Sequence, residues 1–225
     1  MKPKQRRSPK KAVVLALANT KGGVGKSTAA GNLAWAFATR DRAAKVLLID
    51  ADVQASVTRW FDLAPPESVP FDRIQLTTAR SLQAQVPRLR HQYQLVVIDC
   101  PPMQSDITAA AMISSDMGLI PVQPSPLDVM AYGELLPLLQ QAQGLNPKLK
   151  LRFVVNQLAA GTILAREVIE SLAEFDIPMT PTPLHARQAY RKVVAEGLSV
   201  VTRQGPACDE VMALAAEVLN VLQAA

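Results

Sequence analysis

Short apolar runs alternate along the chain with longer stretches in which apolar positions recur every three to four residues. The runs Val13–Ala18, Val46–Asp50, Ile74–Thr77, Leu95–Asp99, Gly118–Val122 and Leu151–Asn156 read as strands, and a short seventh is expected near Ile177–Thr180. They are continuous in Val, Leu and Ile rather than alternating with polar residues, which is the pattern of strands covered on both faces. The stretches Ser27–Thr39, Thr78–Leu89, Ile107–Ser114, Leu127–Gln143, Thr162–Glu174 and His185–Glu196 read as helices. A last helix is expected at about Ala207–Leu222, with Val211, Leu214, Ala215, Val218 and Leu222 at helical spacing. Such alternation predicts an α/β fold: a doubly wound, mostly parallel sheet of about seven strands with helices on both faces. No internal repeat or interdomain linker interrupts it, and the proline-rich stretch Ala64–Pro70 is an excursion. Ligands of such sheets bind at the carboxyl ends of strands.

The residues after the first strand are Lys21-Gly22-Gly23-Val24-Gly25-Lys26-Ser27-Thr28. A glycine-rich turn between a strand and a helix lets backbone N–H groups converge on phosphate oxygens, and the helix N-terminus adds partial positive charge. In that role Lys26 reaches the β- and γ-phosphates and the Ser27 hydroxyl ligates Mg²⁺. The spacing departs from G-x-x-x-x-G-K-[ST] at one position, where Thr20 replaces the first glycine and is followed by Lys21.

Two other strands end in carboxylates. Leu47-Leu48-Ile49-Asp50-Ala51-Asp52 closes the second, and alternation turns Asp50 and Asp52 to the same side. Leu95-Val96-Val97-Ile98-Asp99 is a Walker-B pattern whose carboxylate holds Mg²⁺ directly or through water. Asp50 is either a further metal ligand or a brace. Asp52 is the first candidate for orienting an attacking water and Asp106 the second.

Composition narrows the setting. The chain has 225 residues, 49% hydrophobic and 19% charged, which suits one domain with a full core. No apolar run spans a bilayer and none has the form of a signal peptide, so a cytoplasmic location is expected. Cys100 and Cys208 form no C-x-x-C pair, which argues against a zinc or iron–sulfur site. The net charge of +5 is carried by residues 1–11, with six basic residues and no acid; the remainder holds 18 basic and 19 acidic residues. The chain therefore divides into a flexible basic arm, 1–11, and a nucleotide-binding domain, 12–225. A basic arm suits a polyanion such as DNA, or is a solvated terminus.

Together KGGVGKST, LLIDADVQAS, VVIDCPP and LIPVQPSPLDV resemble the ParA/MinD family of deviant Walker-A ATPases, from about Val13 to the C-terminus. The short form is similar to the ATPases that partition plasmids or distribute carboxysomes. The resemblance implies ATP and Mg²⁺ as cofactors, and an ATP-dependent homodimer in which Lys21 reaches the partner's nucleotide. It implies Asp52 as the water-positioning residue and Asp99 as the Walker-B aspartate. Gly118–Asp128 would lie near the dimer interface, and Asn156 would contact adenine, or else cap a turn. Asp52-Val53-Gln54 departs from the family's Asp-Pro-Gln. The family also binds DNA without sequence preference, through basic residues of the C-terminal half. Here Arg187, Arg191 and Lys192 fall on one expected helix, with Arg203 beyond it; a solvated helix face is the plainer alternative. The expected partners are a second copy of the chain, non-specific DNA, and a ParB-like or carboxysome-linked adaptor. The last stretch, Leu214–Ala225, holds no Lys or Arg, which favours the nucleoid over a membrane as the surface. Two other functions share these motifs: a metabolic or metal-delivery P-loop enzyme, and a DNA-coating scaffold in which ATP is structural.

Overall fold

The computed structural model describes residues 12–103, 105–159 and 170–223. Seven parallel strands form one sheet: β1 (Val13–Leu17), β2 (Val46–Asp50), β3 (Asp72–Gln75), β4 (Leu95–Asp99), β5 (Met117–Val122), β6 (Lys150–Leu158) and β7 (Leu184–His185). Their order across the sheet is β3-β2-β4-β1-β5-β6-β7. The helices are α1 (Lys26–Arg40), α2 (Ser56–Asp62), α3 (Ala79–Leu89), α4 (Ser105–Ile113), α5 (Pro126–Leu145), α6 (Gln188–Ala195) and α7 (Pro206–Gln223).

Burial explains why the strands read as unbroken apolar runs. β2, β4 and β5 are buried at every position. Along β1, Leu15 and Leu17 join a core on one face with α1, α2 and α7. Val14 and Ala16 join a second core beneath α3, α4 and α5. The α1 helix is buried on most of its circumference, so small residues such as Ala30, Ala34 and Ala36 dominate it. At Gly31 an added Cβ would lie 2.5 Å from the Trp60 ring, so α2 closes on α1 only because no side chain is there. Trp60 and Phe61 stack at 4.4 Å, and the Trp60 indole N–H donates to Leu198 O at 3.1 Å, tying α2 to the loop after α6. The first turn of α3 is closed by a reciprocal Thr78–Ser81 cap.

Most expected elements are present, with three differences. The helix α2 was not anticipated. The seventh strand lies at Leu184–His185, while Met179 of the expected segment makes a single bridge to Phe153. The helix expected over His185–Glu196 begins at Gln188 because His185 is taken into β7, and Arg187 sits before its first turn. The arm at residues 1–11 and most of the expected helix Thr162–Glu174 lie outside the described residues.

Parallel register brings three strand ends to one level: Asp99 is opposite Leu17 of β1 and opposite Asp50 of β2. The strand order turns back around β1, which feeds the glycine-rich loop at that level.

Candidate functional site

The glycine-rich loop closes onto α1 through Gly25, whose φ of 89° is left-handed. An added Cβ there would lie 2.2 Å from the Asn156 amide nitrogen, so both backbone and space require glycine. The next residue, Lys26, is buried and donates from its ammonium to the Lys21 carbonyl at 2.9 Å. Burial lowers its pKa, against the opposing influence of Asp99, Cys100 and Asp52. The Lys21 N–H is in turn held by Asn19 Oδ1 at 3.0 Å, and the Asn19 amide by Pro121 O at 2.8 Å.

The three aspartates differ sharply. Asp50 is buried and fully engaged: Oδ1 accepts from the Asp52 N–H at 3.1 Å, and Oδ2 from the Thr58 N–H at 3.0 Å and the Thr58 hydroxyl at 2.7 Å. Its carboxylate braces the start of α2 against the end of β2. Asp52 lies beyond β2 in a turn, where Oδ1 accepts from the Gln54 N–H at 2.8 Å. Asp99 is buried and neither oxygen completes a hydrogen bond, although the Ser27 hydroxyl and the Lys26 ammonium face it. Burial pushes its pKa up to about 7, opposed by Ser27 and Lys26 and reinforced by repulsion from Asp50 and Asp52. A buried carboxylate without partners is costly unless a cation neutralises it.

Two cavities meet at the loop. One of about 300 Å³ is lined by Gly22, Gly23, Gly25, Lys26, Ser27, Thr28, Asp52 and Cys100. The second, of about 360 Å³, shares Gly25, Thr28 and Gln157 with the first and continues past Asn156, Ala186, Arg187, Tyr190 and Arg191. The first has the size and donors of a phosphate site, and the second extends from it as a base and ribose would. A larger cavity of about 620 Å³ between α4 and α5 holds Asp106 with Met103 and Glu134. Asn19 and Thr20, at the entry to the loop, line it too, but Gly22 to Thr28 do not.

Most residues expected at the nucleotide converge: Gly22, Gly23, Gly25, Lys26, Ser27, Thr28 and Asp52 line one cavity, with Asn156 at the adjoining one, whereas Lys21 lines neither and the Val24 side chain is buried in the core. Ser27 and Asp99 fit a Mg²⁺ ion, which usually takes one or two protein ligands and fills its shell with phosphate and water. Among the described residues no three His, Cys, Asp or Glu side chains form a metal cage of their own.

The four basic residues expected at DNA are less uniform. Arg191 and Lys192 are exposed on α6. Arg187 donates to Glu210 Oε1 on α7 from Nε at 3.1 Å and from Nη2, and Glu210 also accepts from the His185 N–H at 3.2 Å. Arg203 is ion-paired with Glu196. Sequence reasoning missed Gln123 and Gln157, whose amides reach the Gly23 carbonyl, and Thr58, which fixes Asp50. Gln123 falls within the LIPVQPSPLDV motif, but nothing in the spacing marks its partner, and Gln157 and Thr58 belong to no recognisable spacing.

The chain is 33% identical over 213 residues to Maintenance of carboxysome distribution protein A of Halothiobacillus neapolitanus, covering 93% of this chain and 97% of that protein. It is 29% identical to the chromosome-partitioning ATPase Soj of Thermus thermophilus, over 94% and 97% of the two chains. The fold superposes on apo McdA of Cyanothece with a TM-score of 0.78 at 20% identity, covering 92% of this chain and 99% of that one. It matches MinD of Aquifex aeolicus at 0.77 and 18% identity, over 93% and 97%. Residues 15–200 match the CobQ/CobB/MinD/ParA nucleotide binding domain, and this chain belongs to that family.

Proposed function

We propose that this protein is an ATPase of the ParA/MinD type that dimerises with ATP, binds DNA without sequence preference and distributes a cargo over the nucleoid. The observation that carries the cargo reading is the near full-length likeness to a carboxysome distribution protein. Partition of a plasmid or chromosome is the neighbouring possibility, favoured by the likeness to Soj. Among the described residues no helix is long and apolar enough to cross a membrane.

The chemistry follows from the cavity. ATP enters with its phosphates on the loop N–H groups and Lys26, and its base toward Asn156 and Tyr190. Mg²⁺, when bound by Ser27 and Asp99, neutralises charge on the phosphate oxygens. Asp52 orients a water in line with the γ-phosphorus; the water oxygen forms the new P–O bond as the bond to the ADP oxygen breaks, and the water's proton leaves with the phosphate product, giving ADP and phosphate. Lys21 of a second copy stabilises the charge on the transferred group, so dimerisation and turnover are coupled. Arg191 and Lys192 present phosphate contacts that dimerisation doubles.

The experiment is ATP turnover by the purified chain, alone and with DNA and a candidate adaptor encoded beside it. Stimulation by both supports the distributing ATPase. Turnover indifferent to both favours the scaffold reading.

A further inference from the structure

The carbonyls of the glycine-rich loop are held from outside it. Gln157 Nε2 donates to Gly23 O at 2.9 Å, and Gln123 Nε2 donates to the same oxygen at 3.2 Å. Asn156 Nδ2 donates to Val24 O at 2.7 Å. These hydrogen bonds join the ends of β5 and β6 to a loop about a hundred residues or more earlier in the chain. A peptide unit is planar and trans, so its C=O and the following N–H point in opposite directions. Holding the Gly23 carbonyl on two amides fixes the Val24 N–H on the other side, and holding the Val24 carbonyl does the same for the Gly25 N–H. Successive N–H groups aimed to one side form an anion-binding nest.

The local backbone is built for this interaction. Gln157 has a left-handed φ of 55°, unusual for a residue other than glycine, and the pairing of β6 with β7 shifts register between Asn156 and Leu158. An irregularity of this kind next to a site re-aims a side chain, and strain there persists only when the surroundings enforce it. Gln157 also lies where the two cavities meet.

We propose that Gln157 and Gln123 are positioning residues for the nucleotide phosphates: they clamp the Gly23 carbonyl so that the loop N–H groups are aimed before the ligand arrives. This rests on the nucleotide reading above. Preorganised donors need no reorientation on binding, so the clamp acts on affinity for the phosphate chain and not on base recognition.

The test is Gln157→Gly combined with Gln123→Ala. Glycine accepts the left-handed conformation without strain, so the nucleotide-free variant should stay folded and melt within a few degrees of wild type. Gln157→Asn, which also tolerates that conformation but is shorter, serves as a second variant. Affinities for ATP and for pyrophosphate, measured by calorimetry or competition, should both fall about tenfold, because the unclamped loop must then be ordered on binding. KM for ATP should rise while kcat at saturation stays within about twofold. Unchanged affinity for both ligands overturns the clamp. A loss for ATP with pyrophosphate affinity intact also overturns it and moves the glutamines to the base or ribose. A wild-type chain that binds neither ligand overturns the nucleotide reading, and the clamp falls with it.

Discussion

The Lys26 ammonium donates to the backbone carbonyl of Lys21 at 2.9 Å, so the side chain of one loop lysine is held by the main chain of the other. This hydrogen bond uses no side-chain atom of Lys21. Substitution at position 21 therefore leaves the anchor of Lys26 in place, and the two lysines can be tested separately.

Lys26→Ala should abolish ATP binding, because the β,γ-phosphates lose their main buried counter-charge. Calorimetry measures this directly. Wild-type affinity in the variant would remove the phosphate-loop assignment.

Lys21→Ala and Lys21→Gln should bind ATP with near wild-type affinity but fail to respond to an adaptor. Stimulated turnover should drop to the basal rate. Retained stimulation in either variant would end the reading of Lys21 as a residue acting on the partner's nucleotide.

Asp52→Ala should bind ATP and dimerise, yet turn over about a hundredfold or more slowly, as expected for loss of the group that positions or deprotonates the water. Thr58→Val should have a milder effect, since it loosens Asp50 and through it the turn that carries Asp52. Single-turnover rates with equal binding distinguish these from loss of affinity.

Asp99 links function to stability. An unfolded aspartate loses its proton near 3.8, whereas burial keeps the folded Asp99 protonated up to about 7. Unfolding therefore releases a proton between those values, and the nucleotide-free protein loses stability as pH rises through that window. Asp99→Asn removes the ionisation. Without nucleotide the variant should gain up to about 4 kcal/mol over wild type at pH 8, and less toward pH 5. It should also lose Mg²⁺-dependent turnover. Thermal melts across pH check the sign, and a gain independent of pH would contradict it.

The sheet and the phosphate loop were legible because their signals are local. Strands buried on both faces carry unbroken apolar runs, and Asp50 and Asp99 stand out as carboxylates ending such runs, opposite one another in the register. The helix α2 escaped notice because it is short and its start, Ala55, has a left-handed φ of 54° and no side-chain cap. The two-residue β7 is too short for any periodicity, and the more apolar segment before it drew the assignment instead. Gln123 and Gln157 were invisible because their partner is set by the pairing of β5 next to β1 and of β6 next to β5. The pairings of Arg187 with Glu210 and of Arg203 with Glu196 were hidden for a related reason. Spacing along a helix says which basic residues share a face, not which are already neutralised from another element.

Those pairings direct the DNA prediction to Arg191 and Lys192. Arg191→Glu with Lys192→Glu should weaken DNA binding and flatten its dependence on salt, by about 0.9 in the log–log slope for each phosphate no longer neutralised. Arg187 is a poorer choice, because Glu210 already neutralises it; Arg191 lines the cavity beside Asn156, so ATP affinity of the variant is measured alongside. Gel shifts over a salt series measure both effects, and an unchanged slope would move the DNA surface elsewhere.

The most direct test of the switch is the DNA affinity of the wild-type chain with ATP against ADP, measured by filter binding over a salt series with DNA of unrelated sequences. The ATP form should bind every sequence, with an affinity that falls steeply as salt rises. The ADP form should bind far more weakly under the same conditions. Equal affinity in the two nucleotide states would contradict an ATP-switched, DNA-bound distributing ATPase.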